Sequence, residues 1–181
     1  MKKSTRWITQ TSVLLALLIS LQAITKPLGQ LVTGSCVNTI LAIAVLFGGL
    51  GNGLTIAVIS PVLAFLLGIA PQILTVPAIM AGNTVYVLLL HFLADLTGKK
   101  ALKNILAWLV AAGVKFAVLY FLVAKVICDF LSASLMEAGT LKAPMLKALP
   151  TTFSWPQLFT ALIGGGVALL ITPILRKALK K

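Results

Sequence analysis

The residues from Ile105 to Ile127 form an apolar run long enough to cross a bilayer as one helix, and Lys115 stands near its middle. About 20 apolar residues span the roughly 30 Å hydrocarbon core as an α-helix. An ammonium at that depth costs roughly 2.5–3.5 kcal/mol on insertion scales. No acidic residue lies near enough in sequence to pair with Lys115. We therefore expect this lysine to face a cavity, a partner or a ligand.

Composition indicates that the whole chain is an integral membrane protein. Of its 181 residues, 60% are hydrophobic and 10% are charged, whereas soluble domains carry about 25% charged residues. The formal net charge of +12 comes from cations in short tails and one loop that flank apolar runs. That pattern orients a membrane protein in a lipid bilayer and does not indicate nucleic-acid binding. We predict one all-α membrane domain over residues 1–181.

Six apolar runs have the length of membrane-spanning helices. The predicted transmembrane helices are about Trp7–Thr25, Cys36–Gly49, Gly53–Ile69, Ala78–Leu96, Asn104–Cys128 and Trp155–Leu175. The second and third are short, and the glycine-rich segment Gly48–Gly53 predicts a tight turn between them; they could also form one bent hairpin that does not fully cross. Residues 129–154 predict short amphipathic helices outside the bilayer, either as a lid over a pocket or as a passive connector.

The basic residues predict the orientation of these spans, because cytoplasmic loops are enriched in Lys and Arg. With the N-terminus inside, the cytoplasmic cations are Lys2, Lys3, Arg6, Lys99, Lys100, Lys103, Arg176, Lys177, Lys180 and Lys181, against Lys26, Lys142 and Lys147 outside. Both termini are therefore expected in the cytoplasm, with residues 129–154 outside the cell. Trp7 and Trp108 are expected at the inner headgroup level and Trp155 at the outer one.

Polar side chains from four predicted helices should lie at a depth similar to that of Lys115. They are Asn38, Asn83, Tyr86, Gln157 and Thr160. Buried amides and hydroxyls need hydrogen-bond partners, and a solute with several polar groups would supply them. Alternatively, each residue bonds across a helix interface. An anion is the natural partner for a buried ammonium, so the pattern favours an acidic solute.

Two further patterns lie within the predicted helices. His91 and Asp95 are spaced i, i+4 on the fourth helix, which allows a local hydrogen bond or a proton relay. Ser12, Ala16 and Ser20 recur at four-residue spacing on the first helix. Small residues at this spacing allow a second helix to approach closely, either within the protein or in a partner subunit.

The chain lacks the usual parts of an enzyme. It has one histidine and three acidic residues, and it contains no nucleophile elbow, zinc-protease motif or P-loop. Cys36 and Cys128 are too far apart in sequence to indicate a metal site. We therefore expect no catalytic residue, no metal and no cofactor, and any energy source must lie on another protein.

The layout of the chain resembles the substrate-binding S-components of energy-coupling factor (ECF) transporters. The resemblance rests on the basic N-terminus, the small residues of the first helix, the number of spans, the Thr33-Gly34-Ser35 loop before the second helix and the Gly48–Gly53 turn. It implies a bacterial plasma-membrane protein that captures a vitamin or related micronutrient from outside. It also implies two kinds of protein partner, a transmembrane coupling subunit and a pair of ATPases.

The resemblance places the binding pocket beside the loop after the first helix and the outer halves of the fourth to sixth helices, where Asn83, Tyr86, Lys115, Gln157 and Thr160 are found. It also implies that the first helix meets the coupling subunit through an Ala-x-x-x-Ala pattern. Here those positions read Ser12, Ala16 and Ser20, so small size is kept and the alanine pair is not.

Two other functions stay open at this point. One is a structural or assembly membrane protein, whose polar residues would only hold helices together. The other is a self-sufficient secondary transporter, which is disfavoured by the shortage of carboxylates within the spans and by the absence of an evident inverted repeat.

Overall fold

The computed structural model describes residues 3–69, 72–96 and 100–179, and these residues form helices and no strand. The α-helices are α1 (Lys3–Thr25), α2 (Gln30–Ile43), α3 (Leu50–Leu66), α4 (Val76–Leu93), α5 (Ala101–Tyr120), α6 (Ser132–Glu137), α7 (Ala143–Thr152) and α8 (Trp155–Ala178). Helix α2 continues as a π-helix over Ala44–Gly48, and α5 does so over Phe121–Phe130. Short 3-10 turns occupy Lys26–Leu28 after α1 and Ile73–Thr75 before α4.

Within the described residues, five helical segments are long and apolar enough to cross a membrane. They are Ser4–Leu28, Gln30–Gly48, Ile73–Leu93, Ala101–Phe130 and Trp155–Ala178. Helix α3 has 17 residues, which is about 26 Å of helix and slightly less than the hydrocarbon thickness. The prediction of an all-α membrane protein is confirmed, with five candidate spans among the described residues. That α3 crosses the membrane as a sixth span stays a prediction.

Helix α2 lies at the centre of the bundle and packs along α8, with further contacts to α1. Gly164 of α8 makes this approach possible, because a Cβ there would lie 2.5 Å from the carbonyl oxygen of Ser35. Gly34 of α2 similarly faces Thr160, whose Cγ2 would lie 2.7 Å from an added Cβ. The prediction of a Thr33-Gly34-Ser35 loop is therefore wrong: the segment is helical, and its glycine serves helix packing.

The glycine-rich connection between α2 and α3 is shorter than predicted. Gly49 alone separates the π-helix from α3, and its φ of 96° is in the left-handed region that glycine adopts easily. Gly53 instead lies inside α3, where a Cβ would be 2.7 Å from Val87 of α4. This glycine allows α3 and α4 to approach each other.

Both ends of the described chain lie beside this α2–α3 connection. Trp7, near the start of α1, has its indole nitrogen 2.9 Å from the position of a Cβ on Gly51. Arg176, near the end of α8, donates a hydrogen bond of 2.6 Å to the carbonyl oxygen of Leu46. The starts of α2, α4 and α8 are therefore at the opposite end of the bundle.

Residues 129–154 contain the short helices α6 and α7 and fold back against the bundle. Helix α7 packs on the π-helical end of α5. Leu149 and Phe153 are buried there in an apolar cluster with Leu119 and Val123. This packing holds α7 over the end of the bundle at which α2, α4 and α8 begin.

Trp108, predicted at the inner headgroup level, makes its contacts within the bundle. Its indole nitrogen donates a hydrogen bond of 3.3 Å to the carbonyl oxygen of Ala161, between α5 and α8. The ring fits there because Gly165 has no side chain; a Cβ on Gly165 would lie 2.2 Å from the ring. The indole satisfies its single donor within the bundle and has no need of the interface.

Candidate functional site

Lys115 is buried on α5, with 3% of its surface exposed. Its Nζ donates hydrogen bonds to Oδ1 of Asn38 on α2 and, at 2.7 Å, to Oδ1 of Asn83 on α4. Two of its three N–H groups are thus used within the described chain. Amide oxygens, rather than a carboxylate, surround the ammonium, so its positive charge is not neutralised by these contacts.

The amide of Asn38 is held from its other side by α8. Its Nδ2 donates to Oγ1 of Thr160 at 3.2 Å, and that hydroxyl donates in turn to the carbonyl oxygen of Gln157 at 3.0 Å. Because Lys115 can only donate, the oxygen of Asn38 must face it. The chain of bonds therefore fixes Asn38 in one orientation between α5 and α8.

Asn83 differs from Asn38 in having no second partner. Its Oδ1 accepts from Lys115, but its Nδ2 is buried and makes no hydrogen bond within the described residues. A buried donor left unpaired costs about 1–3 kcal/mol. Native structures leave few such groups, and the exceptions call for an explanation such as a missing ligand.

A cavity of about 370 Å³ lies beside these groups, and its wall includes Lys115, Asn38 and Asn83. Helices α1, α2, α4, α5, α7 and α8 all contribute to it. Asn38 and Asn83 are eight and seven residues into α2 and α4, about 10–12 Å below the helix starts. The polar cluster therefore forms the floor of a pocket that opens at the end of the bundle away from the termini.

The electrostatics of this cavity favour an anion. Its described lining contains Lys26 and Lys115 and no acidic residue. Residues at or beside the first turns of α2, α4 and α8 also line it, among them Gln30, Thr75 and Gln157. None of these three helices has a side-chain N-cap hydrogen bond, and helix N-termini carry partial positive charge and free N–H groups.

The predicted binding residues divide into two sets. Lys115, Asn38, Asn83 and Gln157 line the cavity. Tyr86 and Thr160 are fully buried and do not. The Tyr86 ring centre lies 5.2 Å from Nζ of Lys115, within the range of a cation–π contact. Tyr86 and Thr160 therefore contact the residues that form the floor of the cavity, on the side away from the cavity.

Gln22, Lys26 and Gln72 also line the cavity and were missed from the sequence. Gln22 lies in the last turns of α1, and Gln72 directly precedes the 3-10 turn before α4. Gln22 could have been found by the criterion that selected Asn38, since it is an amide within a predicted span. Gln72 lies between two predicted spans, where a polar residue carries no signal.

Two other predicted features lie away from the cavity. Ser12, Ala16 and Ser20 are exposed on one side of α1, so none of the described helices covers them. Asp95 does not share a helix face with His91, because α4 ends at Leu93 and Ala94 is extended. Asp95 instead caps the turn into α5: its carboxylate accepts from the backbone of Lys100 at 2.8 Å.

The comparison with known protein families agrees with this geometry. The family model described as "ECF transporter, substrate-specific component" matches residues 6–176 of the chain. The protein belongs to this family. No curated protein and no solved structure matches the chain.

Family membership makes this S-component the substrate-specific part of an ECF transporter and a multi-pass membrane protein. The family comprises binding components of transporters and not enzymes. The sequence resemblance to S-components is thereby confirmed, and the cavity is its candidate substrate site.

Proposed function

We propose that this S-component captures an anionic vitamin or related micronutrient in the cavity above Lys115. The observation that carries the proposal is a buried ammonium at the floor of a cavity whose described lining contains no acid. A solute carboxylate would pair with Nζ and provide the counter-charge that Asn38 and Asn83 do not. Charge-assisted hydrogen bonds of this kind are about twice as strong as neutral ones.

The size of the cavity supports a small solute. Ligand pockets commonly measure about 300–1,000 Å³, and this one, at about 370 Å³, lies at the lower end. A vitamin-sized acid fits such a volume. Leu149 and Phe153 of the α7 segment complete the wall, so residues 129–154 act as a lid rather than a passive connector.

Each predicted residue has a distinct role in this proposal. Lys115 and Asn83 contact the anion, and Gln157 contacts the solute from α8. Asn38 positions the ammonium through Oδ1 and is itself held by Thr160. Tyr86 stabilises the ammonium through its ring.

The distribution of cations supports an outward-facing pocket in the bacterial plasma membrane. Arg6, Lys100, Lys103, Arg176 and Lys177 lie at helix ends on the side of the termini, which the positive-inside rule assigns to the cytoplasm. Lys26 lies at the other end, beside the cavity. Further cations used in the prediction, Lys2, Lys99, Lys180 and Lys181, are outside the described residues.

Delivery of the solute requires proteins other than this one. The sequence has no nucleotide-binding motif, so ATP hydrolysis falls to a separate pair of ATPases. The exposed small residues Ser12, Ala16 and Ser20 provide a surface on which a helix of the coupling subunit packs.

The test is to identify what the purified protein carries. The protein is purified in mild detergent and denatured, and the released small molecules are identified by mass spectrometry. In parallel, acidic and neutral vitamins are compared by thermal shift. We expect a released carboxylic acid that stabilises the protein by about 2.7 kcal/mol at 100 times its Kd. If no acid is released and none stabilises the fold, the cluster around Lys115 serves only to hold helices together.

A further inference from the structure

Three amides beside the cavity carry a buried polar atom that has no protein partner. Among the described residues, five buried side-chain polar atoms lack a hydrogen bond, and three of them belong to Gln22, Gln72 and Asn83. All three of these residues line the cavity. Most of the buried polar atoms that lack a partner in the described residues therefore belong to the lining of one cavity.

The lining residues change in character with depth. On α4 and the turn before it, Thr75, Ile79 and Asn83 line the cavity at four-residue spacing, which places Asn83 about 12 Å below Thr75. Thr75 is itself bound to the carbonyl oxygen of Gln72 at 3.0 Å, so Gln72 belongs to the upper level. The order from mouth to floor is thus polar, apolar, polar.

Helix α5 contributes to the floor and the middle of the cavity. Lys115 lines the floor, and Leu119, one turn nearer the lid, lines the middle. Gln22 lies one turn before Lys26 in the last part of α1. Lys26 donates a hydrogen bond of 2.7 Å to the carbonyl oxygen of Gly68, so Lys26 belongs to the mouth and Gln22 lies one turn below it, between the mouth and the floor.

We infer that the solute is an elongated carboxylic acid with an apolar middle and a second hydrogen-bonding group at its far end. The inference rests on the proposed function and names the class of substrate. The carboxylate meets Lys115 and Asn83, the middle packs on Ile79 and Leu119, and the far group meets the amides of Gln22 and Gln72. An amide side chain offers both a donor and an acceptor, so a distal amide, urea or hydroxyl satisfies it.

The experiment uses two matched pairs of probes: benzoate with 4-acetamidobenzoate, and hexanoate with 6-acetamidohexanoate. Within each pair the second probe adds a distal amide to the same acid. Affinities are measured by calorimetry on the full chain in detergent. We expect the amide-bearing acid to bind about tenfold more tightly in at least one pair, as two added neutral hydrogen bonds allow.

Variants test whether Gln22 and Gln72 cause the tighter binding of the amide-bearing acid. In the Gln22→Leu/Gln72→Leu double variant and in each single variant, the ratio of the two affinities within a pair should fall, to about twofold or less in the double variant. Lys115→Met should weaken both members of a pair. Gln10→Leu is the matched control, since Gln10 lies on α1 but contacts Asn52, far from the cavity, and it should keep the preference.

The outcomes separate the inference from the proposed function. If the simple acids bind but a distal amide adds nothing, or if the glutamine variants keep the preference, the two-ended solute is overturned and the anion site stands. If no probe binds the parent, the anion site is overturned and the inference falls with it. The single variants keep the test decisive if the double variant fails to fold.

Discussion

Nζ of Lys115 and Oδ1 of Asn83 are joined by a hydrogen bond of 2.7 Å across the contact between α5 and α4. Because the oxygen of this amide accepts from Lys115, the amide nitrogen of Asn83 is left without a partner among the described residues. Lys115 and Asn83 thus bring one charged and one neutral donor to the floor of the cavity. A carboxylate that accepts from both would satisfy the donor that the protein itself leaves unpaired.

Lys115→Met should weaken binding of the acid that stabilises the parent by about 10- to 100-fold, because a charged hydrogen bond contributes about 1.5–3 kcal/mol. Folding should suffer less, since methionine suits apolar surroundings and the substitution removes a buried charge. Calorimetry gives the affinity, and thermal unfolding gives the stability. Lys125→Met is the control, because Lys125 is exposed and paired with Asp129 at 2.9 Å. Equal affinity in Lys115→Met and the parent would remove Lys115 from the site.

Asn83→Asp should reduce affinity for the same acid by at least about tenfold. The new carboxylate would pair with Lys115 inside the protein and repel an anionic solute. Because the substitution nearly preserves shape, the fold should remain intact by circular dichroism. Asn104→Asp makes the same change at the start of α5, outside the cavity, and should leave the affinity unchanged. An unchanged or tighter complex of that acid with Asn83→Asp would place its carboxylate away from Asn83.

The convergence of Lys115, Asn38 and Asn83 could be predicted because burying polar groups in lipid is costly and helix periodicity gives their depth. The mouth of the cavity could be predicted only in part. Gln22 is an amide within a predicted span and meets the criterion that selected Asn38, whereas Gln72 lies between two predicted spans, where water can satisfy an amide. Only the folded chain shows that a side-chain oxygen of each is buried without a partner among the described residues.

Two glycines were predicted wrongly for the same physical reason. Gly34 and Gly53 were interpreted as turn residues, yet both lie inside helices and make room for a neighbouring side chain. The ring of Trp108, expected at the headgroup level, likewise occupies space beside Gly165. Glycine suits both turns and close helix contacts, and tryptophan suits both the membrane interface and the protein interior. Tertiary packing decides between the two positions in each case.

Gly164→Ala should destabilise the fold by about 1–3 kcal/mol, the usual cost of overpacking. The new methyl would lie 2.5 Å from the Ser35 carbonyl oxygen, and a backbone atom cannot move without shifting α2. Gly113→Ala is the matched control on α5, because an added Cβ meets nothing within 4 Å there. That variant should be neutral or gain up to about 1 kcal/mol from helix propensity. Thermal unfolding in detergent compares the two; equal melting temperatures would contradict close α2–α8 packing.

Ala16→Trp should abolish assembly with the coupling subunit while leaving solute binding intact. Ala16 is exposed at the centre of the Ser12–Ser20 stripe, and a large ring there would keep a partner helix from close approach. The measurement is co-purification of a tagged S-component with the transmembrane and ATPase subunits, with solute affinity measured on the same preparation. Leu17→Trp is the control: Leu17 is 45% exposed but lies about 100° around the helix from Ala16. If both variants assemble equally well, or if both fail, the stripe does not define the docking surface, whereas selective loss in Ala16→Trp assigns it.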